Sequence, residues 1–551
     1  MKRLSKYLYL GLPVLGVLFY LLYLSRSSID MVYSDYIRLI NAYLPDVWNP
    51  NKFFVADLLT RIPVNYLERG LNVELFGYSV AFDRLMGVLG FGASALLLGS
   101  YCRKKRIGLG WYTVMMAVMF SLNKWEMLYN GTGWAHFLAF ACFYYHYLVL
   151  DRVYGEKCRE PRHRGATVRL AVLPAVITIG VAGPYCAIYM MTLLLAYLFI
   201  WGRNRVIWRL DMQSLKRDGK FGGKQAGAVG VIDSRLCRLS GWQLFGLGAA
   251  AVWPFLLYLW SNSRAVYEYS NAVDTPLFTA FFQEPKFFLK FFLKSFASMV
   301  FGVEWISRNA ADVPGKVWCL VGFLVIAAYV LALWMNFYYG IAKKTILPLM
   351  FLAGGGMNHL MVLVSRYIFM PNDAYGMSSR YALQYQMGVL GILMTFALAA
   401  KAGWRRPQKS RGESVTPERA DRGRRESSVP ERADNRGRGE SERCKDSDRA
   451  WVESRDSRNR QRVAGRGRCD QAVRILAAAF TALFLAGNLM TTAEEFSFGV
   501  HRKNHNLESR QILLNYENYT DKELQDVLEY HKDGVRDALT ILKEHGWNIY
   551  K

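Results

Sequence analysis

The chain has 551 residues, 52% of them apolar and 15% aromatic, too apolar for a soluble basic protein even with a formal charge of +25. Its basic residues stand in blocks between long apolar runs, not on one face of a soluble domain, which excludes nucleic acid as the partner and points to a membrane. The eight cysteines show no CxxC or Cys/His metal spacing, and most fall in segments expected to face the cytoplasm, so neither zinc nor a disulfide framework is predicted.

A membrane span needs about 20 apolar residues. Residues 7–25, 80–100, 108–122, 134–150, 169–182, 184–201, 242–261, 317–338, 345–364, 382–400 and 472–490 meet or approach that length, which predicts an all-α polytopic membrane protein of about eleven spans. The segments 108–122 and 169–182 are short, and Gly183-Pro184 could be a kink in one longer helix. With Lys2, Arg3 and Lys6 in the cytoplasm, the blocks at 102–106, 151–169, 203–238, 343–344 and 401–468 fall there too. Together they hold well over half of the 69 basic residues. The C-terminal tail is then extracytoplasmic. No small-residue cleavage site follows the first run, so it reads as a retained span in a cell membrane.

The first span ends at IDMVYSDYIRLINAYLPDVWNP, from Ile29, which sets Asp30 and Asp35 beside a membrane surface. The rest of this loop, residues 26–77, reads as amphipathic interfacial helices broken at Pro63. Asp83 and Arg84 open the second span, a costly place for ionisable groups unless they are paired or functional. The short connection NKWEMLYNGTG carries Lys124 and Glu126 and could roof a site made by the first loop. His136 follows just inside the next span.

The glycines of KFGGKQAGAVG, within 203–238, do not form a phosphate loop; anionic lipid is the expected neighbour of this basic stretch. The second large outer loop, 262–316, repeats Lys286, Lys290 and Lys294 at four-residue spacing against Phe287, Phe288, Phe291 and Phe292, the pattern of an interfacial helix with a basic rim. Gly354 to Gly356 allow close helix packing, with Asn358 and His359 deep in that span. Arg366, Asp373 and Arg380 then return charge to the outer face, where a guanidinium fork suits a phosphate. Residues 402–470 are rich in Arg, Glu, Asp and Ser, repeat PERAD, and read as a disordered cytoplasmic linker. In the outer tail, 491–551, Thr520 to Glu523 form a capping box and KDGVRDALTILKEHGWNIYK a short amphipathic helix.

Carboxylates beside cations at a lipid surface suit glycosyl transfer, in which a carboxylate deprotonates an acceptor hydroxyl while basic groups hold the departing phosphate of a lipid-linked sugar. The order of parts resembles the GT-C superfamily of polyprenyl-phosphate-sugar-dependent glycosyltransferases. It carries one span, an acidic first outer loop with interfacial helices, a second span opening on FDRLMGVLGFGASALLLGS, and a second interfacial loop. The ending LKEHGWNIYK is similar to the tails of bacterial members that modify cell-surface polysaccharide. The resemblance covers most of the chain outside 402–470 and is architectural. It implies transfer of a hexose or pentose to a glycan acceptor, Asp35 or Asp30 as base, and Arg84, Arg366 and Arg380 as phosphate holders with the lysine stripe. In that family the paired acids are adjacent or one residue apart, whereas here they are five apart. Some members use a divalent metal and others none. A surface-polysaccharide polymerase or ligase would depend on outer arginines instead of a first-loop acid. A transporter or flippase would carry charged residues along a path through the membrane.

Overall fold

In hydrocarbon the backbone amides must be satisfied within the chain, and long apolar runs therefore fold as helices. The computed structural model describes residues 2–52, 63–155, 163–218, 239–263, 272–403 and 441–551, and among them it contains helices and no strand. In chain order these are α1 Lys2–Ser27, α2 Tyr36–Tyr43, α3 Pro63–Phe76, α4 Val80–Lys104, α5 Leu109–Met119, α6 Trp125–Tyr129, α7 Trp134–Gly155, α8 His163–Ile177, α9 Cys186–Asp218 and α10 Gly241–Asn262. There follow α11 Leu277–Gln283, α12 Pro285–Ala297, α13 Val303–Asn309, α14 Gly315–Tyr338, α15 Leu347–Arg366, α16 Ala382–Gly403, α17 Ser441–Leu514, α18 Asp521–Val527 and α19 Val535–Glu544. The chain divides into two units, one of residues 1–399 with 480–551 and one of 400–479.

Among the described residues, eight helical runs are long and apolar enough to cross a membrane: Tyr7–Ser27, Val80–Lys104, Gly165–Val206, Gly241–Asn262, Gly315–Tyr338, Leu347–Phe369, Ser379–Lys401 and Asp470–Leu514. This is a helical, membrane-embedded protein. Two of the eleven expected spans stand outside the eight. Residues 134–150 lie in the 22-residue α7, made more polar by His136, His146 and Asp151, and 108–122 yields only the 11-residue α5. The run Gly165–Val206 merges two expected spans, yet the backbone reverses direction within it. Tyr185 meets His136 near the start of α7 at 5.0 Å, and Arg203 lies over Tyr154 near its end at 3.9 Å, so α9 runs parallel to α7 and α8 runs back between them. The reversal falls at Gly183, whose φ of 50° and ψ of −136° suit a residue without a side chain.

Close packing follows small residues. A Cβ on Gly355 of α15 would sit 2.3 Å from Gly388 Cα of α16, so the two backbones touch there. At the end of α7, Asp151 accepts the amides of Ile346 and Leu347 at 2.8 and 3.3 Å and binds Lys105 at 3.0 Å, capping α15.

Two amphipathic helices depart from simple surface positions. Helix α3 buries Glu68, Arg69 and Asn72 and exposes Leu67, Leu71 and Leu75, so its apolar face points away from the protein, as a lipid-facing helix requires. Helix α12 exposes Lys286 and Lys290 and buries Phe287, Phe288 and Phe291 as its spacing suggests, but its second half enters the bundle. There His359 of α15 is stacked between Phe296 and Tyr385 at 3.7 and 3.8 Å, with Ser295 Oγ 3.0 Å from its Nδ1. In the first loop, residues 53–62 lie outside the described residues.

Of the stretch 402–470, residues 404–440 lie outside the described residues, and from Ser441 the backbone is helical and continues into the last apolar run. Arg, Glu, Lys and Ala in that stretch are good helix formers.

Candidate active site at the bundle end

The two aspartates of the first loop meet different fates. Asp30 Oδ1 accepts the amides of Val80 and Ala81 at 2.7 and 3.2 Å, and Oδ2 accepts the Ser79 hydroxyl at 2.8 Å. It therefore caps α4, where the free amides and the helix dipole favour a carboxylate. Asp35 stands at the N-cap of α2 yet makes no cap bond: its φ of −55° and ψ of −20° are already helical and swing the carboxylate off the amides. Its Oδ2 accepts Asn130 Nδ2 at a long 3.4 Å. The backbone around it is fixed by Ser34 N–H donating to Leu528 O at 2.6 Å and by the Tyr36 hydroxyl donating to Asp83 Oδ2 at 2.7 Å. Beneath, Asn72 Nδ2 donates to Asp83 Oδ1 at 2.6 Å, and burial, with Asp83 adjacent, pushes the Glu68 carboxyl well up.

The wall facing Asp35 comes from α6, α13, the start of α16 and α17. Arg380 binds Glu126 through Nε, and its guanidinium also feels the charge of Asp35. Nearly half of the Arg380 side chain is exposed, and its two terminal amino groups remain for an anion. Ser379 Oγ donates to the other Glu126 oxygen at 2.9 Å. Glu304 lies beside Ser379, and its Oε2 is buried without a donor. Burial, reinforced by the charges of Glu495 and Glu126, pushes the Glu304 carboxyl up to about 7. Glu495 is fully buried between Arg308 at 3.0 Å and Arg502 at 2.6 Å, and those guanidinium groups stack over Phe498 at 3.7 Å and Trp125 at 3.5 Å.

The floor of this chamber is irregular backbone. Helix α5 stops at Met119, and the carbonyls it leaves open are filled by buried side chains. Gln386 Nε2 donates to Val118 and Met119 at 2.6 and 3.2 Å, and Lys124 Nζ donates to Met119 and Ser121 at 2.9 and 3.0 Å. Leu122 N–H donates to Thr492 at 3.1 Å, and Asn123 Nδ2 to Asn488 at 3.1 Å. Non-helical backbone at depth is tolerated under that condition.

The other residues singled out in the sequence are spread around the chamber. Arg84 is buried, its Nε donating to Tyr129 O and its Nη1 to Ile29 O, both at 2.6 Å, so it ties the first loop to α6. Lys124 belongs to the floor, not to a roof. Arg366 ends α15, 6.0 Å from the Phe369 ring centre. Lys294 pairs with Asp373, while Lys286 and Lys290 are exposed. His136 is buried with its ring edge-on to Tyr185. Arg380 and Ser379 stand among the acids, and no three His, Cys, Asp or Glu side chains converge on a cation position among the described residues. Sequence reading missed Glu304, Ser379, Glu495, Arg308 and Arg502. One signal was present: Glu495 and Arg502 are seven residues apart, on one helical face at the end of an apolar run.

Helical fold, apolar runs and a charged chamber at the bundle end define a membrane-embedded protein with a polar site. Comparison with family models, curated proteins and solved structures finds no match.

Proposed function

We propose that the chain is an integral membrane glycosyltransferase of the GT-C kind, moving a sugar from a polyprenyl phosphate to an extracytoplasmic glycan acceptor. The observation that carries this reading is the Asp35 carboxylate, with no cap bond and one long bond from Asn130, facing the half-exposed Arg380. Asp35 takes the acceptor hydroxyl proton as the new glycosidic bond forms. The bond from sugar to phosphate breaks, and its electron pair leaves on the phosphate. Charge grows on that phosphate in the transition state, so a preorganised Arg380 favours the transition state over the bound donor. The exposed Lys286 and Lys290 add positive charge for a lipid phosphate, and anionic lipid is a natural neighbour for the protein. In this reading Asp30 serves as a cap of α4, and Arg84, with Nε and Nη1 on backbone carbonyls, ties the first loop to α6. The basic blocks favour a cytoplasmic N-terminus in the cell membrane, with the chamber on the opposite side.

The unwound floor favours transport as a second reading, since transporters line their sites with broken helices. It ranks lower because Lys124 and Gln386 occupy the carbonyls that would bind an ion. Purified protein reconstituted with candidate polyprenyl-phosphate sugars tests the choice. Asp35→Asn should lower transfer about a hundredfold or more; wild-type rates in that variant would overturn the assignment of the base.

A further inference from the structure

The end of the bundle away from the chamber holds a second concavity. Helix α9 brings Trp201, Asn204 and Arg205 to this end, and the entry to α10 supplies Leu239 and Leu244. These residues line a cleft of about 360 Å³, within the size range of small-ligand sites. Its walls are mostly apolar. The Arg205 guanidinium is exposed and stands 5.2 Å from the centre of the Trp201 ring. Asn204 Nδ2 donates to Leu239 O at 3.1 Å and fixes the entry to α10, while its Oδ1 is buried with no donor among the described residues.

The surroundings favour an anion at headgroup height. Trp242 and Phe245 of α10 flank the cleft and are 84% and 72% exposed, as aromatic side chains at a membrane edge are. At the same end Asp151 is bound by Lys105 at 3.0 Å, and Arg203 lies over Tyr154 at 3.9 Å. Arg103, Lys104 and Arg106 are exposed there too, so the local field is positive.

We propose that the cleft between α9 and α10 is a discrete binding site for an anionic phospholipid whose headgroup carries hydroxyls, such as phosphatidylglycerol. An acyl chain lies along Trp201 and Leu244, the phosphate meets Arg205, and a headgroup hydroxyl donates to Asn204 Oδ1. Phosphatidylcholine has the phosphate but no donor and no net charge, so it answers only one of the two polar groups. The site differs from the diffuse attraction of the basic stretch 203–238, and it stands whatever reaction the chamber performs.

Delipidated full-length protein in detergent, titrated with either lipid and weighed intact by native mass spectrometry, tests the site. One molecule of phosphatidylglycerol should bind about tenfold more tightly than phosphatidylcholine. Arg205→Gln should weaken it about tenfold. Arg103→Gln, at the same end but outside the cleft, should leave it within about twofold. Leu244→Trp, which fills the cleft without changing the charge, should remove the tight site. Equal losses in Arg205→Gln and Arg103→Gln would reduce the effect to general attraction and overturn the inference. Equal affinity for the two lipids would overturn it, as would displacement of the lipid by inorganic phosphate. So would a wild type that holds no phospholipid tightly, the result expected if residues 219–238 of the chain itself fill the cleft.

Discussion

The two walls of the chamber are built on opposite principles. Behind Asp35, the first loop and the C-terminal tail share an apolar core in which Met31, Val32, Ile37 and Ile40 pack with Leu513, Leu524, Leu528, Leu539 and Leu542. Asn548 seals it by donating to Tyr78 O at 3.0 Å and accepting Val32 N–H at 3.1 Å. Across the chamber, the connection after α5 and the start of α13 are held by polar atoms: Lys124, Gln386, Asn123, Asn488 and Thr491. An apolar core tolerates changes that conserve volume, whereas a buried polar network fails at the first missing donor. The first wall can hold Asp35 still without touching its charge; the second can adjust charge but has little slack.

Lys124→Met should separate the two walls most sharply. It removes the charged donor from the buried Met119 and Ser121 carbonyls, which keep only Gln386 and Tyr20, and thermal unfolding in detergent should report a loss of about 3 kcal/mol. Leu539→Ala opens a cavity in the apolar wall and should cost about 3 kcal/mol, with the tail becoming sensitive to protease before the rest. If Leu539→Ala instead left the tail protected, the two walls would not be independent. Glu304 gives a gentler test. Burial raises its carboxyl from the ordinary 4.5 to about 7, so its contribution to stability is complete below pH 4.5 and is lost as pH rises through about 7. The slope cannot exceed about 1.4 kcal/mol per pH unit, and unfolding midpoints of Glu304→Gln should lack it. The smallest effect is expected in the first wall. Asp30→Asn weakens a helix cap and should cost about 1 kcal/mol while transfer persists. Asp35→Asn should leave stability within about 0.5 kcal/mol while transfer falls. The opposite pattern would exchange the roles of the two aspartates.

What could be read from the sequence is what depends on nearby residues. The apolar runs of α1, α4 and α14 announce themselves by length, Thr520 caps α18 as its capping box indicates, and the phenylalanines of α12 turn inward at the spacing seen in the chain. What could not be read depends on segments brought together from far apart. Asp30 and Asp35 look alike until α4 presents its free amides to one of them. Glu304 is an isolated acid among aromatics until Glu495, nearly two hundred residues on, is buried beside it. The reversed face of α3 is visible only once Asp83 and Tyr36 define which side is protein. Helix α5 ends early because Lys124 and Gln386 satisfy the carbonyls at its broken end, a long-range dependence that local hydropathy does not contain.

The pairing of residues 29–47 with 513–549 also sets an order of assembly. During synthesis the segment bearing Asp35 emerges well before the tail that packs against it, which leaves the ribosome only after every apolar helix from α1 to α17. The chamber is therefore completed late, and a chain stalled partway carries Asp35 on an unsupported loop. Incomplete products of this protein should be recognisable to quality control by that exposed apolar loop, before they can act on a lipid-linked donor.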